Sequence, residues 1–274
     1  MRSKLRPKRQ KTTFLHFFCY AKFSDKEWRK KHMKAIQTME LVKQYQDLTA
    51  VDQLHLDIEE GELFSLLGVN GAGKTTTIKM LTGLTIPTSG DAMICGYSIT
   101  KEAAKAKSLI GVSPQETAIA INLTVKENLE FICGIYGFSK DKTIKKVNEL
   151  SEIFGFHDIL QKKAGKLSGG WQRRLSIAMA LISEPKILFL DEPTLGLDVI
   201  ARSELWDFIR SLKGKITVVL TTHYMEEAEA LSDRIGIMKN GRLLAVGTAE
   251  SLKAKAGCDD FETAFIHLVK EASL

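Results

Sequence analysis

The sequence of 274 residues predicts an α/β fold: a mixed, mostly parallel sheet with a small antiparallel flank and helices around it. Three observations point there. Residues 62–67, 187–190 and 216–220 are near-continuous apolar runs of strand length, as in strands buried on both faces. The first of these runs leads into a glycine-rich loop and then a helix-forming stretch. Early segments are strand-rich, whereas later ones alternate strand and helix, the pattern of βαβ units beside an antiparallel flank.

Strands are expected near 38–43, 52–58 and 62–67, a helix from Thr76 through Leu81, and a strand near 92–95. Helices are expected over 124–136, 140–154 and 169–183. The last is backed by Ser168, a good N-cap, and by the periodic Leu175, Ile177, Ala178, Ala180, Leu181 and Ile182. Strands follow near 186–191, 216–221, 234–239 and 242–246, the last two joined by Asn240-Gly241, a hairpin signal. Residues 116 to about 166 interrupt the sheet with helices. The stretch 248–274 reads as two short helices, with Phe261, Phe265 and Leu268 as an apolar packing stripe.

The net charge of +6 is unevenly placed. Residues 1–32 hold eleven Lys/Arg against two Asp/Glu, which leaves 28 against 31 in residues 33–274. The body therefore carries no basic excess, and no nucleic-acid partner is expected. Four scattered cysteines, Cys19, Cys95, Cys133 and Cys258, lack metal or redox spacing and read as reduced, cytosolic thiols. No stretch reaches the length of a membrane-spanning helix.

Residues 1–32 form a basic N-terminal extension with two open readings. One is a membrane-surface anchor, since Lys/Arg with Phe suits an anionic interface. The other, adopted as the expectation, is that translation starts at Met33. In a bacterial source Trp28 is TGG, and an AGG codon at Arg29 gives GGAGG, a ribosome-binding sequence, at a normal distance from Met33. On that reading residues 1–32 lie outside fold reasoning.

Gly68-Val69-Asn70-Gly71-Ala72-Gly73-Lys74-Thr75 matches the Walker A pattern, G-x-x-x-x-G-K-T, in its required strand–loop–helix setting. Gly68, Gly71 and Gly73 let the backbone approach phosphate oxygens. Successive N–H groups at the helix start then form an anion nest. Lys74 adds a positive charge for the β- and γ-phosphates, and Thr75 offers Mg²⁺ a hydroxyl. Asn70 and Thr76 complete the nucleotide-binding set drawn from this segment. After the run 187–190 come Asp191 and Glu192, at a strand's carboxyl end, where parallel sheets gather ligands. Asp191 is read as the Mg²⁺ partner, through water. In Leu167-Ser168-Gly169-Gly170-Trp171-Gln172, glycines again expose N–H groups at a helix start. One nucleotide needs one cradle; a second makes sense if it serves another chain's nucleotide.

The order of these three segments resembles the ATP-binding subunits of ABC transporters, and the resemblance runs from about Ala35 to Leu274. It implies a P-loop NTPase core over 33–247, with an inserted α-helical subdomain at about 116–166 and a C-terminal helical tail over 248–274. It also implies ATP and Mg²⁺ as cofactors. Two copies would sandwich ATP head to tail, with Ser168 and Gly170 touching the γ-phosphate held by the partner's loop. Glu192 is the implied general base. Gln115 matches the Q-loop glutamine that reaches the metal, Asp198 the D-loop residue at the dimer seam, and His223 the switch histidine that contacts the γ-phosphate. Tyr45 matches the aromatic that stacks on adenine. Trp171 and Leu195 depart from the family's usual residues.

Val125-Lys126-Glu127-Asn128-Leu129-Glu130-Phe131, Ile135-Tyr136-Gly137 and the segment 259–265 resemble the drug, antibiotic and polysaccharide exporter branch. The implied partners are a second ATPase copy, identical or similar, and a separate integral-membrane permease. The implied location is the cytoplasmic face of the cell membrane, peripheral through that permease. Two other readings compete. A soluble ABC-type ATPase of ribosomes or DNA would carry paired cassettes or long coiled coils, and neither is present. A P-loop kinase or GTPase switch is opposed by the Ser168 segment and the Asp-Glu pair.

Overall fold

The computed structural model describes residues 34–271. The anchor and start-site readings for residues 1–32 lie outside the described residues.

The elements run β1 (Lys34–Tyr45), β2 (Leu48–Leu54), β3 (Asp57–Glu59), β4 (Leu63–Gly68), α1 (Lys74–Leu81), β5 (Ser89–Ile94) and β6 (Tyr97–Ser98). There follow α2 (Ala103–Lys107), β7 (Ile110–Ser113), α3 (Val125–Ile135), α4 (Lys140–Phe154), α5 (Gly169–Ala180) and β8 (Ile187–Asp191). The chain continues with α6 (Val199–Leu212), β9 (Thr217–Thr222), α7 (Met225–Leu231), β10 (Arg234–Lys239) and β11 (Arg242–Gly247). It ends in α8 (Ala249–Ala256) and α9 (Phe261–Glu271). The described residues divide into two compact units, a larger one of residues 34–118 and 169–271 and a smaller one of residues 119–168.

In the larger unit six strands lie in the order β11-β10-β4-β9-β8-β7. All neighbours are parallel except β10 and β11. Every residue of β4, β8 and β9 is buried, which explains their unbroken apolar composition. The early strands form a second, antiparallel sheet, β2-β1-β5-β6, with β3 also paired to β1. Side chains alternate across β4. Phe64 and Leu66 pack with Ile36, Leu41, Ile78 and Phe189 towards the antiparallel sheet and α1. Leu67 packs on the other face with Ile237, Phe261, Phe265 and Leu268, so α8 and α9 cover that side.

The stretch expected as one strand over 52–58 is two. The Thr38 hydroxyl donates to Leu54 O at 2.8 Å and accepts from Leu56 N at 2.7 Å. It takes over the ladder at the break, where Gln53 has a left-handed φ of 45°. The hairpin at Asn240-Gly241 has φ of 48° and 79°, the type I′ turn its residues favour. Five elements were not expected from the sequence: β6, α2, β7, α6 and α7. No helix among the described residues is long and apolar enough to cross a membrane.

In the smaller unit, Thr124 and Glu127 form a capping box that starts α3. Ser139 caps α4, and Gly155, at φ 72°, ends it. Val125, Leu129, Cys133, Val147, Leu150 and Phe154 are buried. Phe131, Ile135 and Tyr136 are left exposed.

Candidate functional site

β4 runs straight into the glycine-rich loop, and α1 begins at Lys74. Two positions in that loop demand glycine. A Cβ on Gly68 would lie 2.5 Å from Met238 O. Gly73 has φ 102°, and a Cβ there would lie 2.5 Å from Ala50 O. No side chain caps α1, and its first turn carries no acid, so its N–H groups and dipole face the loop uncompensated.

The Lys74 ammonium donates to Gly68 O at 2.7 Å and Val69 O at 3.2 Å. It also lies 3.5 Å from Glu192 Oε1. Burial pushes its pKa down, and the charge of Glu192 opposes that shift.

β9 lies between β4 and β8, so the residues at its end stand between the loop and the carboxylates. Asp191 Oδ1 accepts from Thr221 Oγ1 and, at 3.2 Å, from Thr75 Oγ1. Glu192 N donates to Thr221 O at 3.1 Å and to Thr221 Oγ1 at 3.0 Å. These bonds hold Glu192 at a φ of 47°, in the left-handed region. Such strain costs on the order of 1–3 kcal/mol at a non-glycine residue and clusters at functional sites. In that conformation Glu192 Oε2 sits 2.6 Å from His223 Nδ1, within hydrogen-bond distance. Asp191 and Glu192 are both buried.

A cleft of about 640 Å³ is lined by Asn70, Gly71, Gly73, Lys74, Thr75 and Thr76, with Tyr45, Gln115 and Glu192. Leu48, Thr49, Ala50, Ala72 and Asn240 complete it. Gly68, Asp191 and His223 adjoin it through the contacts above. Tyr45 is half exposed, with Lys43 Nζ 4.9 Å from its ring centroid. The other expected site residues do not line this cleft. Ser168 is the last residue of the smaller unit. A Cβ on Gly170 would lie 3.0 Å from the Ala201 side chain, so the start of α5 packs closely on α6. Asp198 caps α6, accepting from Ile200 N and Ala201 N at 3.0 and 2.9 Å.

Two supporting residues went unread in the sequence. Thr221 binds both Asp191 and Glu192, and its position directly before Thr222-His223 was the available signal. Arg173 donates to Pro114 O and Gln115 O, each at 2.6 Å, and so fixes the loop that carries Gln115.

The donors present fit Mg²⁺: a hydroxyl from Thr75, a carboxylate from Asp191 and the Gln115 amide, all hard oxygens. Among the described residues no group of three or more His, Cys, Asp or Glu could hold a metal by itself.

A buried strand ending in a glycine-rich loop, a lysine heading the next helix and carboxylates at the end of a parallel strand define a P-loop nucleotide-binding protein. The sequence profile described as ABC transporter matches residues 51–195. The chain belongs to the ABC transporter family as an ATP-binding subunit; that family hydrolyses ATP to drive transport. It is 42% identical over 242 residues to the probable multidrug ABC transporter ATP-binding protein YbhF of Escherichia coli, covering 86% of this chain. The match spans only 42% of that relative's length. It is also 42% identical to the Nod factor export ATP-binding protein I of Burkholderia pseudomallei, over 83% of this chain and 75% of that protein. A solved ATP-binding subunit of an ABC transporter superposes with a TM-score of 0.76 at 27% identity, covering 85% of this chain and 99% of that one.

Proposed function

We propose that this chain hydrolyses Mg²⁺-ATP between two head-to-tail copies and thereby drives a separate membrane permease of the exporter type. In this reading residues 33–247 are the ATPase domain, about 116–166 its helical subdomain and 248–274 a helical tail. The contact of Glu192 with both His223 and Lys74 carries the proposal. It places a carboxylate base beside an orienting imidazole and a phosphate-binding ammonium, in one buried cluster.

The loop N–H groups and Lys74 hold the phosphates, and Tyr45 stacks on the base. When bound, Mg²⁺ neutralises phosphate charge, and Thr75, Asp191 and Gln115 are the residues that would hold it. Glu192 takes the proton of the attacking water. His223 fixes that carboxylate by donating Nδ1–H, and in its protonated form offers a second N–H to the γ-phosphate. Phosphoryl transfer depends on such positioning and charge stabilisation more than on covalent chemistry. Ser168 and Gly170 serve the nucleotide of the partner copy, and Asp198 lies at the seam between copies. The glycines at the start of α5 support that assignment, since this chain's own cleft does not use them.

The permease docks on the helical subdomain and the Gln115 loop, near residues 112–137. Exposed Phe131, Ile135 and Tyr136 favour this placement. The chain then works at the cytoplasmic face of the membrane without a nucleic-acid partner. Affinity purification from solubilised native membranes tests the proposal. The expected result is co-purification of an integral-membrane protein whose presence raises ATP turnover. Recovery on ribosomes or DNA, with no membrane protein, would overturn it.

A further inference from the structure

The glutamate at position 227 is fully buried, yet it does not touch the nucleotide cleft. Its Oε1 accepts from Thr194 Oγ1 at 2.8 Å and from Trp206 Nε1 at 3.1 Å. Its Oε2 is buried without a well-formed hydrogen bond. Thr194 belongs to the tight turn that begins at Glu192, closed by Leu195 N to Glu192 O at 3.2 Å and Leu197 N to Thr194 O at 3.1 Å. Glu227 lies on α7, four positions after His223. Trp206 lies on α6. One carboxyl oxygen therefore ties the turn that carries Glu192 to the helix that follows His223, against a third element.

We propose that Glu227 is a positioning residue that keeps Glu192 and His223 in register through Thr194 and Trp206. The inference rests on the catalytic reading of that pair given above. A buried carboxylate is costly without full hydrogen bonding or a paired cation. Here Oε2 makes no well-formed hydrogen bond, although the Thr222 hydroxyl acts on the carboxyl, and the nearby Arg202 stacks on the Tyr224 ring at 5.0 Å. Burial pushes the Glu227 carboxyl up, with contacts from Thr222, Thr194 and Trp206 and the charge of Arg202 opposing. Displacements of about 1 Å far from the chemistry can cost roughly 100-fold in rate, so loss of this tie should appear in turnover rather than in nucleotide binding.

The test uses the full chain, with ATP affinity by calorimetry and steady-state kinetics for Glu227→Ala, Glu227→Gln, Thr194→Val and Glu192→Gln. For Glu227→Ala the expected result is kcat lower by roughly 10–100-fold, with KM and Kd for ATP within about twofold of the parent. Glu227→Gln should restore kcat to within about threefold, because its amide oxygen can accept the same two bonds. Thr194→Val, which deletes a single hydroxyl, should lower kcat by about tenfold at unchanged Kd.

A Glu227→Ala chain that binds ATP and turns over within about threefold of the parent would overturn the proposal. So would a parallel loss of Kd and kcat in Glu227→Ala and Glu227→Gln alike, the mark of a merely structural role. Should Glu227→Ala fail to fold, Thr194→Val decides, and an unchanged kcat there overturns the proposal. Parental turnover in Glu192→Gln would instead refute the underlying catalytic reading, whatever the Glu227 variants do.

Discussion

Lys74 Nζ stands 3.5 Å from Glu192 Oε1, although 118 positions separate the two residues in the chain. The ammonium that should meet phosphate is thus shared between loop carbonyls and the base. Phosphates and Glu192 compete for it. Breaking a buried pair from one side leaves an uncompensated charge. Glu192→Gln should therefore lower the melting temperature of the nucleotide-free chain, and saturating ATP should raise it by more than in the parent. Thermal melts with and without ATP check this; equal ATP-induced shifts would show that the contact has no energetic weight.

Lys74→Ala acts at binding. It removes the only ammonium that lines the described cleft and leaves the loop N–H groups to hold the phosphates alone. Nucleotide affinity should fall by about tenfold or more, in the range of a lost charge-assisted hydrogen bond. Calorimetry with ATP is the check, and equal affinities would contradict the assignment.

Thr221→Val keeps the strand and its shape while deleting the hydroxyl that binds Asp191 and Glu192 N. A buried carboxylate then loses one donor, and the strained Glu192 backbone loses one of its two acceptors. Stability should drop by about 1–3 kcal/mol, measured by urea unfolding, with a larger fractional loss in kcat than in ATP affinity.

The shared-site arrangement is tested in mixtures. Ser168→Arg puts bulk and charge at the second cradle, and Lys74→Ala disables the first. Mixed dimers of the two contain one composite site free of both lesions. Partial recovery of ATP turnover is expected where each variant alone is inactive; no recovery in verified mixed dimers would count against sharing.

The raised Glu227 pKa has a defined sign in stability. The folded chain holds the proton above the ordinary value of 4.5, while the unfolded chain releases it there. The stabilisation is present below pH 4.5 and is lost as pH rises towards the folded value. Urea unfolding of the parent and Glu227→Gln between pH 4 and about pH 8 should show the parent losing stability relative to the variant. A pH-independent difference would mean that Glu227 is ionised in the fold.

The fold class was legible because both-face burial leaves unbroken apolar runs, as in β4, β8 and β9. The phosphate loop and the Asp191-Glu192 pair were legible because each is a short contiguous segment with its chemistry on display. What was missed depends on spatial neighbours. The division between β2 and β3 comes from a hydroxyl on another strand, Thr38. Helix α6 escaped because its first residues, Val199 and Ile200, are exposed and mask the buried period Leu205, Ile209, Leu212. Arg173, Asn240 and Glu227 gain their places only through strand order and loop packing, which no local pattern encodes.

The central claim, that Glu192 is the base of a hydrolytic site, is tested most directly by turnover in Glu192→Gln. The substitution keeps the shape and removes the proton acceptor. The expected result is retained ATP binding, a turnover loss of about 10²–10⁴-fold and a longer-lived ATP-bound dimer. Steady-state hydrolysis within about a factor of two of the parent would contradict the account.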